Sequence, residues 1–379
     1  MCTRLVYLGA ADRVITGRSM DWKYEMGTNL WSLPRGIRRS GQAGPGSVEW
    51  TAKYGSLVAT SYDVSSTDGV NEKGLAVNLL WLAESQYPPP GADGPVISLA
   101  LWGQYVLDNF AAVAEAVAAL TATPLRVATA QVPGEQRMAT MHLAMSDPTG
   151  DSAIVEYVDG EQTIHHGRQF QVMTNSPVFS KQLAITEYWE QIGGVVMLPG
   201  TNRAADRFVR ASFYVNAIPK TDDASLSVAA VSSVMRNVSV PYGISTPDEP
   251  NISSTRWRTV VDHKALRYFF ESALSPNAFW VDLKNLDFSA GASVRRLELG
   301  EGEQTVYAGE ASSKFEPAEP FTLGLLMNNA GYGAMGPMLD VPQSEWQRQF
   351  EVNLFAPIAL VRAVMPGMIE RGRGLVVNI

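Results

Sequence analysis

The chain has 379 residues, of which 46% are hydrophobic and 18% are charged, and its formal net charge is −8. This composition is typical of a globular protein with a buried core, and it argues against long disordered stretches. The acidic balance argues against binding to nucleic acid through phosphate contacts.

Targeting and metal-binding signals are weak. No apolar run approaches the length that crosses a bilayer, and the N-terminus lacks the pattern of a signal peptide. We therefore expect a cytoplasmic protein that does not bind membranes. Cys2 is the single cysteine, so neither an intrachain disulfide nor a cysteine-based zinc cluster can form. The four histidines are scattered, and we predict no metal site.

The first third of the chain is predicted to be mostly β-structure. Arg4–Leu8 and Val14–Gly17 are short apolar runs separated by a turn, which predicts a hairpin. Ser56–Tyr62 and Leu75–Leu82 are further predicted strands. Ile97–Leu120 is rich in alanine and repeats its apolar residues every three or four positions, which predicts one helix.

The middle of the chain alternates blocks of strands with blocks of helices. Four strands separated by turns are predicted to form a meander: Ala139–Met145, Ala153–Val158, Gln162–His166 and Phe170–Thr174. Two helices and three strands are predicted after them: Ala204–Ala217, Ala224–Asn237, Trp257–Ala265, Leu266–Phe270 and Ala278–Leu283. Elements grouped in this way predict a layered α+β architecture.

The pattern of predicted elements changes at about Thr322. Gly324–Gly331 is predicted to be a buried strand, Ser344–Met368 a long helix, and Leu375–Ile379 the start of another strand. We therefore predict one domain over residues 1–322 and a second, smaller one over residues 323–379.

Cys2 is the first candidate catalytic residue. A small residue at position two permits removal of Met1, which would leave a free α-amino group beside the thiol. An α-amino group titrates at about 7.7–8.0 in the absence of other effects, so base and nucleophile could come from one residue. Taken alone, a cysteine near a terminus is more often a small apolar residue without catalytic function.

Arg18 and Asp21 lie within Gly17–Trp22, at the end of the predicted hairpin. Arg18 could stabilise a thiolate, and Asp21 could accept hydrogen bonds from the α-ammonium group. Considered alone, the two would form an ordinary surface ion pair.

Asn175 and Arg207 are further candidates. Asn175 ends a predicted strand, where its amide could donate to a developing oxyanion, although an asparagine in a turn before proline is common. Arg207 and Arg210 open a predicted helix and could reach a carboxylate or the thiolate. Two arginines at this spacing more often form a solvated face.

Together these segments resemble the choloylglycine hydrolase family. The matching segments follow the family's order over about residues 1–322: Met1-Cys2-Thr3, Gly17–Trp22, Asn71–Leu75, Thr174–Pro177 and Arg207–Arg210. The resemblance implies the four-layer αββα sandwich of N-terminal nucleophile hydrolases. It also implies a homotetramer that needs no cofactor and acts on a small-molecule amide.

The resemblance assigns roles to individual residues. Cys2 would attack the amide carbonyl and form a thioester that water then hydrolyses. Arg18, Asp21, Asn175 and Arg207 would support catalysis. The oxyanion donors would be the Asn175 side chain and the backbone N–H at position 81, which is Trp81 here.

Trp81 separates this chain from one branch of the family, because bile-salt hydrolases carry asparagine there. With Trp22 and Met20 it would form a substrate slot suited to phenoxyacetyl or flexible acyl groups, unless the tryptophans only pack in the core. The pairing resembles penicillin V acylases of Gram-negative bacteria, some of which also cleave N-acyl homoserine lactones. Bile-salt hydrolysis is the alternative within the family.

Residues 323–379 resemble the middle of a short-chain dehydrogenase, with Asn328–Gly331 and Asn353 at matching positions. The segment lacks the glycine-rich dinucleotide loop and the Tyr-x-x-x-Lys pair. It therefore resembles a truncated Rossmann-like fragment that we expect to be non-functional. An NADP-dependent oxidoreductase is the alternative from another class, and a catalytically silent relative of the hydrolases is a third.

Overall fold

The computed structural model describes residues 2–44, 46–89, 91–132, 137–193, 197–244, 253–321, 325–328, 342–370 and 375–378. The chain forms two compact units, Met1–Pro320 and Phe321–Ile379. Among the described helices, none combines the length and the apolar character needed to cross a membrane.

Over its described residues, the first unit is built from strands and five α-helices. Its strands are β1 (Thr3–Leu8), β2 (Val14–Trp22), β3 (Leu30–Leu33), β4 (Arg38–Ser40), β5 (Glu49–Thr51), β6 (Ser56–Ser61), β7 (Ser65–Asn71), β8 (Ala76–Trp81), β9 (Val96–Ser98), β10 (Arg126–Ala128), β11 (Met141–Ser146), β12 (Ser152–Val158), β13 (Glu161–His166), β14 (Val172–Thr174), β15 (Ser254–Asp262), β16 (Arg267–Ser272), β17 (Ala278–Asp282), β18 (Arg295–Leu297), β19 (Gly309–Glu310) and β20 (Glu316–Pro317). Its helices are α1 (Leu99–Asn109), α2 (Val113–Ala122), α3 (Phe179–Ile192), α4 (Ala204–Ala217) and α5 (Ala224–Asn237).

Two large sheets form the centre of this unit. The first has the strand order β14-β1-β2-β15-β16-β17-β19, and the second has the order β13-β12-β11-β8-β7-β6-β3-β18-β20. Helices α4 and α5 pack on β1 and β2 of the first sheet, while α1 and α2 pack on β7, β8, β12 and β13 of the second. Buried side chains of both sheets share one apolar core. The predicted αββα sandwich is therefore confirmed.

Strand β2 is buried along its whole length because it lies between a helix layer and the second sheet. A Cβ atom added to Gly17 would lie 2.8 Å from side-chain atoms of Val231 and Met235 on α5. Glycine therefore permits α5 to approach closely. Since side chains alternate along a strand, Gly17 and Asp21 face the helices, whereas Arg18 faces the space between the sheets.

One predicted helix and the pairing of one predicted strand are wrong. Ile97–Leu120 is not one helix, because the chain is extended at Phe110 and separates α1 from α2. The Asn71 side chain donates to Leu107 O and Phe110 O at 2.9 and 2.8 Å and so satisfies carbonyls at this helix end.

Phe170–Thr174 does not complete the predicted meander. β14 does not join the second sheet. It pairs instead with β1 of the first sheet, with Thr174 opposite Thr3. This crossing of the chain brings Asn175 beside Cys2. The sequence prediction also missed β7 and α3.

The second unit contains a strand–helix–strand arrangement. Helix α6 (Gln343–Phe350) continues through a π-helical turn at Glu351–Phe355 into α7 (Ala356–Glu370). Strands β21 (Leu325–Asn328) and β22 (Leu375–Asn378) pair in parallel. The helix and both strands match their predictions where the structure describes them. The other predicted strand positions, 324, 329–331 and 379, lie outside the described residues.

Candidate active site

The thiol of Cys2 is enclosed by the β1–β2 hairpin. The pairing of Thr3 with Ser19 places Cys2 opposite Met20, and the cysteine is only 4% exposed. Its Sγ lies 3.5 Å from Asp21 N, 3.9 Å from Asp21 O and 3.8 Å from Met20 Sδ. The backbone N–H of Asp21 is therefore the nearest of these groups to the sulfur.

Arg18 supplies a positive charge next to this sulfur. Its Nη2 lies 3.9 Å from Cys2 Sγ, 3.3 Å from Met20 Sδ and 3.4 Å from Leu79 O. The guanidinium also stacks on Trp257, with Cζ 4.4 Å from the ring centroid. Arg18 is fully buried, so water screens its charge little.

Asp21 and Arg207 form a buried ion pair on the helix side of β2. Arg207 Nη1 lies 2.8 Å from Asp21 Oδ2 and 2.8 Å from Thr3 Oγ1, and both charged residues are 0% exposed. Thr255 donates its hydroxyl to Asp21 Oδ1 at 2.6 Å. The pair thus connects α4 to the hairpin that carries Cys2. Arg210 instead donates to Pro199 O and Thr201 O at 2.7 and 2.9 Å.

Asn175 links Cys2 to the second sheet. Its Oδ1 accepts a hydrogen bond from Cys2 N, which becomes the α-amino nitrogen once Met1 is removed. Its Nδ2 donates to Trp81 O at 2.5 Å, and the amide carries a second N–H hydrogen. Gln182 on α3 donates to Asn175 O, and to Pro177 O at 2.6 Å, which fixes the turn.

The N-terminus of α3 is anchored by a buried carboxylate. Both oxygens of Glu156 accept from Phe179 N, at 3.0 and 3.1 Å, and His142 and His165 lie 3.1 and 3.6 Å from the carboxylate. Burial would raise the pKa of Glu156, but hydrogen bonds from the two histidines and from Phe179 N outweigh it and lower the pKa to about 2. The N-terminus of α3, whose Gln182 orients Asn175, therefore lies against the ionised carboxylate of Glu156.

The peptide groups of Trp81 point toward the site. Leu82 N donates to Thr140 O at 3.0 Å, and Trp81 lies opposite Met141 in the pairing of β8 with β11. Hydrogen-bonded and non-hydrogen-bonded residue pairs alternate along two antiparallel strands. Since Leu82 is hydrogen-bonded to Thr140, the N–H and C=O of its neighbour Trp81 point away from β11. They lie on the side where Asn175 contacts Trp81 O.

Trp22 and Trp81, the two tryptophans predicted to form a substrate slot, contact each other beside these groups. The ring centroids are 5.9 Å apart at 41°, and Trp22 Nε1 donates to Tyr62 OH at 2.9 Å. The exposed Arg137 places Cζ 4.3 Å from the Trp81 centroid and 5.5 Å from that of Trp22. The guanidinium of Arg137 therefore lies over both rings of the pair.

The structure brings all eight predicted site residues into one network of contacts. The roles of these residues stay predictions. Sequence reasoning missed four neighbours, Asp68, Arg137, Gln182 and Thr255, because none belongs to a recognisable short motif. Within the described ranges, no group of three or more His, Cys, Asp or Glu side chains is arranged to hold a metal ion.

Comparison with known proteins agrees with this geometry. The sequence pattern of the linear amide C–N hydrolases, choloylglycine hydrolase family, matches residues 2–295. The chain belongs to this family. The prediction of an amide hydrolase of the choloylglycine hydrolase type is therefore confirmed.

Two relatives in the family are particularly similar. A penicillin V acylase from Pectobacterium atrosepticum is 57% identical over 342 residues, which cover 84% of this chain and 91% of the relative. The solved structure of a penicillin V acylase from Agrobacterium tumefaciens superposes with a TM-score of 0.79 and 60% identity. That alignment covers 85% of this chain and 99% of the other.

The C-terminal region matches a different family. The short chain dehydrogenase pattern matches residues 311–379. A 2-keto-3-deoxy-L-fuconate dehydrogenase from Xanthomonas campestris is 44% identical over 54 residues, which cover 14% of this chain and 18% of the relative. The predicted resemblance of this segment to short-chain dehydrogenases is confirmed.

Proposed function

We propose that this hydrolase cleaves the side-chain amide of penicillin V, with Cys2 as an N-terminal nucleophile once Met1 is removed. The observation that carries the proposal is the surroundings of the Cys2 sulfur. Arg18 Nη2 lies 3.9 Å and Asp21 N 3.5 Å from Sγ, and Cys2 N is hydrogen-bonded to Asn175.

In the first half of the reaction, the α-amino group takes the proton of the thiol and the sulfur attacks the amide carbonyl. Arg18 and the Asp21 N–H stabilise the developing thiolate. The carbonyl oxygen becomes an oxyanion that accepts from Asn175 Nδ2 and Trp81 N. Collapse of this intermediate breaks the C–N bond, and the α-ammonium group returns the proton to the leaving amine.

In the second half, water hydrolyses the thioester. The α-amino group accepts a proton from water as its oxygen attacks, and the same two donors stabilise the second oxyanion. The acyl group leaves as a carboxylic acid, and the sulfur recovers a proton. Asp21 and Arg207 take no direct part in bond making and hold the hairpin and α4 in place.

The choice of acyl group rests on the aromatic slot. The two tryptophan rings contact each other at 5.9 Å, so the phenoxy ring of penicillin V would pack against their outer faces rather than between them. The named activity of the Pectobacterium and Agrobacterium relatives points to the same substrate. The slot also suits the flexible chains of N-acyl homoserine lactones, which we propose as a second substrate class.

The direct test is hydrolysis by the intact wild-type chain. We expect intact-mass spectrometry to show loss of Met1, and we expect turnover of penicillin V to exceed that of a glycine-conjugated bile salt in a side-by-side assay. N-Acyl homoserine lactones complete the panel. Faster turnover of the bile salt would contradict the substrate assignment, and turnover of none of them by the processed chain would contradict the proposed function.

Replacing Trp81 by leucine tests the slot. We expect the kcat/KM for penicillin V to fall about fivefold relative to that for a straight-chain acyl homoserine lactone, because aromatic pairing is worth about 1 kcal/mol beyond area burial. The backbone donor at position 81 is retained. Trp189→Leu on α3 is the matched control, since Trp189 contacts Tyr188 rather than the slot. An unchanged ratio in Trp81→Leu would show that the slot does not select the acyl group.

A further inference from the structure

A second buried carboxylate lies behind Arg18. Asp68 on β7 is 1% exposed, and its Oδ2 lies 3.9 Å from Arg18 Nε. The other end of the same guanidinium, Nη2, faces Cys2 Sγ at 3.9 Å. Arg18 therefore bridges a carboxylate of the second sheet and the sulfur of the first.

Three donors from different strands hold Asp68. Tyr268 donates to Oδ1 at 2.5 Å, Asn78 to Oδ2 at 2.7 Å, and Thr259 Oγ1 lies 3.3 Å from Oδ2. Burial raises the pKa of Asp68, while Arg18 and these three hydrogen bonds oppose the rise. Burial and the adjacent carboxylate raise the pKa of Tyr268 well above its ordinary value, so its hydroxyl remains a donor.

Among the contacts of Arg18 with the described residues, Asp68 is the group that balances its charge. Trp257 covers one face of the guanidinium, and Leu79 O and Met20 Sδ are neutral acceptors. A cation buried between two sheets is stable only if it is paired. Asp68 supplies that pairing before any thiolate forms.

We propose that Asp68 is a positioning residue of the hydrolase, which orients Arg18 toward Cys2 and limits how strongly Arg18 attracts the thiolate. This rests on the proposed role of Cys2 as nucleophile. With Asp68 present, Arg18 is already paired, so the thiolate forms without being bound tightly and remains reactive. Without Asp68, the Cys2 thiolate becomes the main counter-ion of Arg18.

The substitution Asp68→Asn keeps the shape and removes the charge. Because Cys2 is the single cysteine, alkylation of the intact chain by iodoacetamide reports on its thiolate alone. We expect the pH of half-maximal alkylation to fall by about one unit. Without the carboxylate of Asp68, the positive charge of Arg18 is no longer shared and stabilises the Cys2 thiolate more strongly. We also expect kcat for penicillin V to fall about tenfold because Arg18 loses its orientation. KM should stay within about twofold, because Asp68 does not touch the slot.

Tyr268→Phe is the matched control, because it removes a buried hydrogen bond to the same carboxylate and leaves the charge. It should lower the melting temperature without moving the alkylation profile. An unshifted profile in Asp68→Asn, or an equal shift in Tyr268→Phe, overturns the proposal. If Asp68→Asn fails to fold, Asp68→Ser, which also removes the charge, should shift the profile in the same direction, and no shift there also overturns the proposal.

The two proposals fail in different ways. Alkylation needs no substrate, so a wild-type chain that does not hydrolyse penicillin V contradicts the proposed function and leaves the test of Asp68 intact. If the wild-type chain hydrolyses penicillin V but Asp68→Asn has the same alkylation profile as the wild type, only the role of Asp68 is contradicted.

Discussion

Cys2→Ala is expected to abolish hydrolysis while the protein stays folded. The sulfur is the nucleophile that attacks the amide in the proposed mechanism, and loss of a covalent nucleophile typically lowers kcat by about 10³-fold or more. Alanine at position two still permits removal of Met1, so the α-amino group is the same in variant and wild type. Penicillin V hydrolysis, with circular dichroism as the check on folding, measures the effect.

The design separates the thiol from the amine. Cys2→Ala retains the nitrogen that contacts Asn175, so any loss belongs to the sulfur. Cys2→Ser is the companion variant, because it restores a weaker nucleophile in the same place and should form an acyl-enzyme more slowly. A Cys2→Ala protein that hydrolyses penicillin V at the wild-type rate would refute the nucleophile assignment.

Arg207→Leu is expected to lower the free energy of unfolding by about 3–5 kcal/mol, because it leaves the Asp21 carboxylate buried without its ionic partner. Both residues are 0% exposed, and Arg207 Nη1 is 2.8 Å from Asp21 Oδ2. The variant also loses the contact with Thr3, next to the nucleophile. Urea denaturation at neutral pH measures the change.

The double variant Asp21→Asn/Arg207→Leu is the control for this prediction. Removing the charge of Asp21 removes the main reason for the instability, so the double variant should recover part of the loss, and the two substitutions should not be additive. Thr255 still donates to position 21 in every variant. Additive effects would show that the ion pair contributes little and that Arg207 acts through packing alone.

Local patterns predicted the hairpin and the motif that it carries. The strand predicted over Val14–Gly17 extends to Trp22 in the structure, so Arg18 and Asp21 lie on opposite faces of β2, which was not predicted. Helices α4 and α5 have the predicted bounds because each is a continuous amphipathic run with clear ends.

Long-range contacts could not be predicted in the same way. Thr255 is 234 residues from Asp21 in sequence, and Asp68 lies on a strand that the sequence did not reveal. The crossing of β14 to the first sheet, which places Asn175 at the site, depends on tertiary pairing rather than on local propensity.

Several predictions stay open. The homotetramer and the roles of the individual site residues remain predictions. The lack of a catalytic role for residues 323–379 is also one, and NADP binding by the intact chain would contradict it.

The site spans both sheets, and this has a mechanical consequence. Cys2 precedes β1 and Asn175 follows β14 of the first sheet, while Trp81 belongs to the second, and Asn175 Nδ2 donates to Trp81 O at 2.5 Å. A sliding of one sheet over the other by about 1 Å would leave the hydrogen bonds within each sheet intact but would separate the nucleophile from an oxyanion donor. The helices outside and the core between the sheets therefore maintain catalytic alignment by resisting shear, at positions remote from the substrate.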